Sequence, residues 1–288
     1  MELGMFGIWS LAFTHGDPGE AADAAAEAEE LGYETLWLGG DPGGNPRGDL
    51  VTAARMLDAT RRAVVAPACV SVWDRPADQL AGAYHALPPA DRERLVIGLG
   101  VSHVEVVSTY RRPYTAMADY LEELDSGVPP LPVSARLIGA HGPRMTRLAA
   151  DRTLGVHPYL VDIEHVIRTR ELLGRGPLLA LEQTVVAHTD PAVARARARR
   201  TLSPYMSLAN YRSAWLRSGF TEEDLAGGGS DRLIDALFLW GNTDDIAAGL
   251  TERLTAGADH IAVQIATESR GTFARRAWRE LAGVLLAR

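Results

Sequence analysis

A run of apolar residues ends in two glycines, a serine and a histidine, and these residue types could do chemistry together. Residues 94–100 are typical of a strand buried on both faces of a parallel sheet. Gly98 and Gly100 let the backbone turn sharply or let a flat ligand come close. Ser102 and His103 follow, and the carboxyl ends of strands in an α/β protein hold ligands and catalytic groups. The alternative is an ordinary turn with a solvated His103.

The elements that must position these residues alternate regularly along the chain. Eight strands are predicted, each followed by a helical segment, at residues 5–9, 35–38, 63–70, 94–100, 136–138, 154–156, 178–186 and 260–265. This order over 288 residues predicts one domain, residues 1–288, with the fold of a (β/α)8 TIM barrel. Residues 201–240 are predicted to be a helical insertion between strands seven and eight. A doubly wound sheet is the rival fold, but the chain lacks its dinucleotide fingerprint.

Composition excludes several classes of protein. The net charge of −8 argues against nucleic acid or an anionic membrane surface as a partner. No run of apolar residues is long enough to span a bilayer, and the first predicted strand begins almost at the N-terminus, so we expect a cytoplasmic protein. The single Cys69 excludes an internal disulfide, and the absence of lysine excludes Schiff-base chemistry.

Two common kinds of catalytic site are not indicated by the motifs. The eight histidines are scattered and no metal-binding spacing occurs, so no metal is expected, although His103, His141 and His157 could converge. No Gly-x-Ser-x-Gly elbow occurs, which disfavours a nucleophilic serine.

An anion site is indicated at residues 139–144. Pro143 is typical of a first helical residue, so free backbone N–H groups and Arg144 would point toward the mouth of the barrel. An ordinary helix start with a solvated arginine is the alternative. The predicted mouth is otherwise rich in glycine and aromatic residues and poor in charge, which suits a flat aromatic ligand.

The chain resembles the luciferase-like monooxygenase superfamily, and within it the oxidoreductases that use the deazaflavin coenzyme F420. The resemblance covers nearly the whole chain and lies in several blocks in the right order. These blocks are residues 97–103, 137–140, 142–145, 157–161, 182–183, 210–212, 228–233 and 256–260.

The resemblance implies hydride exchange on a deazaflavin ring held over the barrel mouth, because such cofactors carry the hydride chemistry themselves. It also implies a non-prolyl cis peptide after strand three, for which Ser71-Val72 fits the position. The implied cofactor-binding residues are Gly40, Val70, Ser71, Val72, Gly100, Val101, Ser102, Gly139, Ala140, Gly142, Pro143, Arg144, Met145, His157 and Glu182.

Proton transfer is assigned to His103, assisted by Asp41. Many deazaflavin relatives carry a glutamate where His103 stands, and a histidine or an acid where Asp41 stands, and an imidazole can exchange protons near neutral pH. The substrate side is assigned to Trp9, Phe13, His15 and Trp73, since aromatic walls favour an apolar or conjugated small molecule. A homodimer is implied by the family.

Two rivals to this function remain. An FMN-dependent, oxygen-using monooxygenase would share the fold, with a phosphate site for a single group. Arg111, Arg112, Arg144 and Arg147 could instead bind an oligoglutamate tail, which favours the deazaflavin. A non-catalytic flavin-binding barrel is the third possibility and predicts binding without turnover.

Overall fold

The strands of the protein form one parallel sheet. A computed structural model describes residues 2–40, 45 and 47–287 of the chain. The strands in that part are β1 Phe6–Ser10, β2 Thr35–Gly39, β3 Val64–Ala68, β4 Val70–Ser71, β5 Ile97–Gly100, β6 Arg136–Ile138, β7 Gly155–Val156, β8 Leu178–Ala187, β9 Leu239–Gly241 and β10 His260–Ile265.

Helices follow most of these strands. In the described ranges they are α1 Ala12–His15, α2 Pro18–Glu30, α3 Asp49–Ala59, α4 Ala77–His85, α5 Pro89–Arg92, α6 Pro113–Ser126, α7 Pro143–Arg152, α8 Ile163–Leu173, α9 Pro191–Leu202, α10 Ala209–Arg217, α11 Asp231–Leu237, α12 Thr243–Thr255 and α13 Arg275–Leu285. Aspartates cap several of them; Asp17, for example, accepts from the backbone N–H of Gly19 at 2.8 Å. Across the same ranges, no helix combines the length and the apolar character that crossing a membrane requires.

The strands close into the predicted TIM barrel. Their order is β3-β2-β1-β10-β8-β7-β6-β5, and every pair is parallel. The ring is completed at Val65, whose N–H donates to Arg94 O at 2.8 Å and whose carbonyl accepts from Val96 N at 3.1 Å. β4 pairs with β5 beyond the end of β3, and β9 pairs with the end of β8.

Side chains of the strands alternate between two apolar layers, as a period of two requires. Leu36 and Leu38 pack outward with the helices. Trp37, between them, points into the barrel together with small residues such as Ala66 and Ala180 of other strands. One large indole opposite alanines fills the narrow barrel interior, so the barrel is a packed core and its ligand site must lie at one end.

Residues 201–240 lie across the carboxyl ends of three strands. Trp215 Nε1 donates to Leu160 O at 2.9 Å after β7, and Arg217 donates to His141 O at 2.9 Å after β6. Asn210 Nδ2 donates to Ser102 O at 3.3 Å after β5. The segment contains α10 and α11 as expected, and its end forms β9, which was not predicted. This segment therefore covers one side of the barrel mouth.

The predicted position of the cis peptide is wrong. The non-prolyl cis bond joins Ala68 to Cys69, not Ser71 to Val72. The third strand had been expected to run over residues 63–70, but β3 ends at Ala68. The chain resumes as β4, which pairs with β5 alone, so the break in the strand falls earlier than its apolar composition suggested.

Candidate functional site

A cavity of about 510 Å³ opens at the carboxyl ends of the strands, within the size range of small-molecule sites. Eleven of the predicted site residues line it: Trp9, Gly40, Val70, Ser71, Trp73, Gly100, Val101, Ser102, His103, Gly139 and His157. The barrel ends thus bring together residues from β1, β2, β4, β5, β6 and β7, which are far apart in the sequence.

Other predicted site residues lie outside the cavity wall. Phe13 packs in the core with ring centroids 5.7 Å from Phe273 and 6.0 Å from Trp278. His15 ends α1, and Glu182 is buried inside the barrel. The remaining members of this set belong to the helix layer or to the beginning of α7: Val72, Ala140, Gly142, Pro143, Arg144 and Met145. Asp41 lies outside the described residues.

Several lining residues were not assigned from the sequence, and four of them are Asp49, Tyr205, Asn210 and Tyr211. Asp49 is the first residue of α3. Tyr205, Asn210 and Tyr211 come from the segment 201–240, about 100 residues after His103. The block 210–212 contributed to the family resemblance, but no local pattern shows that it packs over β5.

One wall of the cavity is a chain of aromatic rings. Ring centroids lie 5.1 Å apart for Trp9 and Tyr159, 5.3 Å for Tyr159 and Tyr205, and 5.1 Å for Tyr205 and Tyr211. Trp9 lies flat against Gly39, where a Cβ would come within 2.3 Å of the indole ring. Glycine is therefore required there, and the wall offers a broad apolar surface to a flat ligand.

The cavity floor contains the Cys69 side chain. Burial raises the pKa of its thiol to about 12, so the thiol stays neutral. A Cβ at Gly139 would lie 2.7 Å from Cys69 Sγ, and one at Gly100 would lie 2.9 Å from Cys69 Cβ. These two glycines therefore leave room for the Cys69 side chain, in addition to their predicted role in cofactor binding.

Beneath the floor, two histidines of the barrel interior form hydrogen bonds with the backbone, and both contact Trp37. Trp37 stacks on His157 with centroids 4.2 Å apart and donates to His260 Nε2 at 2.9 Å. His260 Nδ1 donates to Gly4 O at 2.8 Å, and His157 Nδ1 donates to Ala180 O at 2.8 Å. Burial lowers the pKa of His157 to about 3 and that of His260 to about 4, so both imidazoles are neutral.

Glu182 is a neutral acid in the same interior. Burial raises the pKa of its carboxyl to about 8, against hydrogen bonds from Thr184 Oγ1 at 2.6 Å and Leu160 N at 3.2 Å. Gln264 Oε1 accepts from Tyr159 OH at 3.1 Å and lies 3.4 Å from Thr184 Oγ1. This network fixes the Tyr159 ring in the cavity wall from below.

His103 lies under the segment 201–240. Ser102 before it has a left-handed backbone with φ of 54°, and Trp73 Nε1 donates to Val101 O at 2.6 Å, which together hold the turn after β5. Burial lowers the pKa of His103, and the Glu105 carboxylate opposes that shift. The imidazole is thus mostly neutral at pH 7.

Asp49 is a second titratable group of the wall. Burial raises the pKa of its carboxyl to about 6, opposed by a hydrogen bond from Asn45 and by the charge of Arg75. A carboxyl with this pKa exchanges its proton near neutral pH, which is the property a general acid or base needs.

The residues present suit a flat, polar aromatic group. Trp9 Nε1, His141 Nδ1 and His157 Nε2 are buried atoms of wall residues without a hydrogen-bond partner among the described residues. Groups of three or more histidine, cysteine or acidic side chains able to hold a metal do not occur in the described ranges.

Four exposed arginines lie near the beginnings of α6 and α7, next to the cavity residues Thr109 and His141: Arg111, Arg112, Arg144 and Arg147. The Arg144 guanidinium lies 4.4 Å from the centroid of the Tyr114 ring, which joins the two helices. The first backbone N–H groups of α7 are not capped by a side chain. The four arginines and the uncapped beginning of α7 are called the basic rim below, and their positive charge suits an anion.

Comparison with known proteins shows the fold. No protein-family model matches the chain, and no curated protein sequence matches it. Solved structures match over nearly their whole length. An F420-dependent secondary alcohol dehydrogenase in complex with an F420-acetone adduct has a TM-score of 0.74 at 12% identity, covering 99% of this chain and 98% of its own.

Two further structures have the same architecture. The coenzyme F420 dependent tetrahydromethanopterin reductase from Methanopyrus kandleri has a TM-score of 0.71 at 15% identity, with 98% of each chain covered. The oxygenating constituent of 3,6-diketocamphane monooxygenase from Pseudomonas putida, in complex with FMN, has a TM-score of 0.67 at 14% identity, with 96% of each chain covered. The chain therefore has the fold of the luciferase-like TIM barrels.

Proposed function

We propose that the protein is an oxidoreductase that transfers a hydride between coenzyme F420 and a small organic substrate. The observation that carries this proposal is the cavity itself: a wall of aromatic rings and glycines at the carboxyl end of a luciferase-like barrel, beside a basic rim. Structures of the same fold contain F420 or FMN, which supports a flavin-like ligand as the class.

Each part of such a cofactor is assigned a place on the chain in this proposal. The ring would lie against Trp9, Tyr159 and the backbone at Gly40, where side chains leave a flat surface. The phosphate would lie at the beginning of α7, and the acidic tail along the four arginines of the basic rim. When bound, F420 supplies the carbon that gives or takes the hydride.

The remaining roles belong to the residues of the wall. We propose that His103 faces the reacting group of the substrate and that Asp49 gives or takes the accompanying proton, because its carboxyl titrates near neutral pH. The role of Asp41, which lies outside the described residues, stays a prediction. Trp9 and Trp73 would exclude water from the substrate.

FMN is the alternative cofactor. It carries a single phosphate, for which the beginning of α7 alone would be enough. The four arginines of the rim are exposed and lie outside the cavity wall, so a ligand without an acidic tail would leave them in solvent. The basic rim is the feature that favours F420.

A fluorescence-quench titration of the protein with oxidised F420 and, separately, with FMN tests the proposal. We expect micromolar or tighter binding of F420 and much weaker binding of FMN. A double variant with Arg111→Gln and Arg147→Gln should weaken F420 binding and leave FMN binding almost unchanged, because these two arginines lie away from the first residues of α7 and would contact only the tail. Preference for FMN would contradict F420 as the cofactor. Binding of neither cofactor would contradict the proposal that the protein is an oxidoreductase of this kind.

Turnover separates the enzyme from a non-catalytic flavin-binding barrel. His103→Ala should bind F420 as the unmodified protein does and should lose most of its turnover with a substrate found by screening with reduced F420. Full turnover in this variant would show that His103 does not act on the substrate.

A further inference from the structure

The side chain of Asn210 connects α10 to the turn that carries His103. Its Nδ2 lies 3.3 Å from Ser102 O and 3.4 Å from His103 Nδ1. Both contacts use the same amide nitrogen, and Tyr211 next to it packs on the imidazole with centroids 5.5 Å apart. The Asn210 side chain therefore faces one edge of the His103 ring, and only that edge.

The backbone carbonyl of Ser102 decides which way the amide points. A carbonyl oxygen only accepts hydrogen bonds, so the NH2 group of Asn210, and not its oxygen, must face Ser102. The same NH2 group then also faces His103 Nδ1. Because an amide NH2 only donates, Nδ1 must be the acceptor nitrogen of the ring.

A neutral imidazole whose Nδ1 accepts carries its proton on Nε2. Protonation at Nδ1 would set an N–H against the NH2 group of Asn210 and would lose this contact. Among the described residues, no group forms a hydrogen bond with Nε2, and His103 lines the cavity. Nε2–H is thus the one polar group of the ring left for a ligand.

We propose that Asn210 is a positioning residue that holds His103 as a neutral imidazole with its proton on Nε2, so that His103 donates a hydrogen bond to the ligand. A neutral imidazole is a poor proton donor, because losing the Nε2 proton would leave an imidazolate. His103 would therefore polarise an acceptor atom of the substrate, and the proton would come from another group such as Asp49.

The charged groups around His103 could influence this state. Glu105 lies on the same turn and favours the imidazolium, whereas burial disfavours it. Burial also lowers the pKa of the neighbouring His141 well below its usual range, so that ring is neutral. Tyr110 also hydrogen-bonds with the Asn210 side chain. Among the described residues, only Asn210 distinguishes the two ring nitrogens through a direct contact, so the tautomer is the property that depends on it.

Long-range 1H–15N NMR of the histidine-labelled protein tests this inference without any ligand. The His103 signals, assigned with His103→Gln, should show a protonated Nε2 and an unprotonated Nδ1 at neutral pH. A proton on Nδ1 in the unmodified protein would overturn the inference, and this result needs no variant to fold.

Two variants extend the test. Asn210→Asp places an acceptor beside Nδ1, so the proton should move to Nδ1 and the titration midpoint of His103 should rise by at least about one pH unit. Asn242→Asp makes the same chemical change at the beginning of α12, where aspartate also caps a helix, and should leave His103 unchanged. An unchanged His103 tautomer and midpoint in Asn210→Asp would contradict the role of Asn210.

The role of Asn210 rests on the proposed function, but the two can be contradicted independently. If F420 does not bind while the Nε2–H tautomer is found, the proposed cofactor is wrong and the role of Asn210 stands. If F420 binds and supports turnover while the proton is found on Nδ1, the proposed function stands and the role of Asn210 is wrong.

Discussion

His260 in the barrel interior and His103 at the cavity are both held as neutral imidazoles, but they differ in what their second nitrogen contacts. His260 donates from Nδ1 to Gly4 and accepts at Nε2 from Trp37, so both nitrogens are paired within the protein. His103 contacts Asn210 through Nδ1 alone. The interior histidine supports the fold, and the cavity histidine keeps one nitrogen for a ligand.

The same contrast holds for the two carboxyls. Glu182 is almost fully buried inside the barrel with hydrogen bonds from Thr184 and Leu160. Asp49 lies in the cavity wall near the charge of Arg75, and its side chain is half-buried. Polar groups of the interior are therefore expected to affect stability, and those of the cavity wall to affect binding and turnover.

The largest effect on stability is expected from the interior tryptophan. Trp37→Ala removes a fully buried ring and leaves His260 Nε2 unpaired, so the free energy of unfolding should fall by about 3–5 kcal/mol. Trp73→Ala removes a half-buried cavity ring and one hydrogen bond, and should cost about 1–2 kcal/mol. Urea unfolding of both variants measures the difference, and equal losses would contradict the division between interior and wall.

Glu182 should make stability depend on pH. Its pKa is raised from 4.5 to about 8 in the folded protein, so its contribution is fully present below pH 4.5 and is lost as pH rises through 8. In the unmodified protein, ionisation of Glu182 should lower the free energy of unfolding by roughly 3 kcal/mol between pH 5 and pH 8. Glu182→Gln keeps the shape of the neutral acid and should not show this decrease. Urea unfolding at the two pH values tests this, with the exposed Glu164→Gln as the control. An identical pH dependence in Glu182→Gln and the unmodified protein would contradict it.

Asp49 should have a smaller effect of the same sign. Its pKa is raised from 3.8 to about 6, so its contribution is present below pH 3.8 and is lost as pH rises through 6. Because the side chain is partly exposed, ionisation of Asp49 should lower the free energy of unfolding by only about 1–2 kcal/mol between pH 4 and pH 7. Asp49→Asn should not show this decrease. Unfolding at these pH values measures it. If the pH dependence of the free energy of unfolding were larger for Asp49 than for Glu182, the interior would not be the region that matters more for stability.

The sequence predicts the barrel well because its strands are short buried runs bounded by turns. β6 and β10 begin and end at the predicted residues, 136–138 and 260–265. The cavity residues that belong to strand ends, such as Trp9 and Ser102, follow from the same pattern. Strand periodicity determines which residues reach the carboxyl end of the barrel.

The parts that were not predicted depend on contacts between distant residues. Asn210 meets Ser102 and His103 across about 100 residues, and no local periodicity reports such a contact. Phe13 was predicted to face the substrate because it is aromatic. Its ring instead packs against Phe273 and Trp278 in the core. β9 depends on pairing with the end of β8, which its three residues do not reveal.

Binding of the deazaflavin in the cavity is tested most directly by the F420 affinity of a variant that narrows the cavity. With the described residues, a Cβ at Gly40 would make only ordinary contacts, 3.6 Å from Ala68 O, so Gly40→Val should fold and project into the cavity. Gly82→Val in α4 is the matched control, since nothing lies within 4 Å of its Cβ. We predict F420 binding at least about tenfold weaker in Gly40→Val and unchanged in Gly82→Val. Equal affinity for F420 in Gly40→Val and the unmodified protein would contradict the claim.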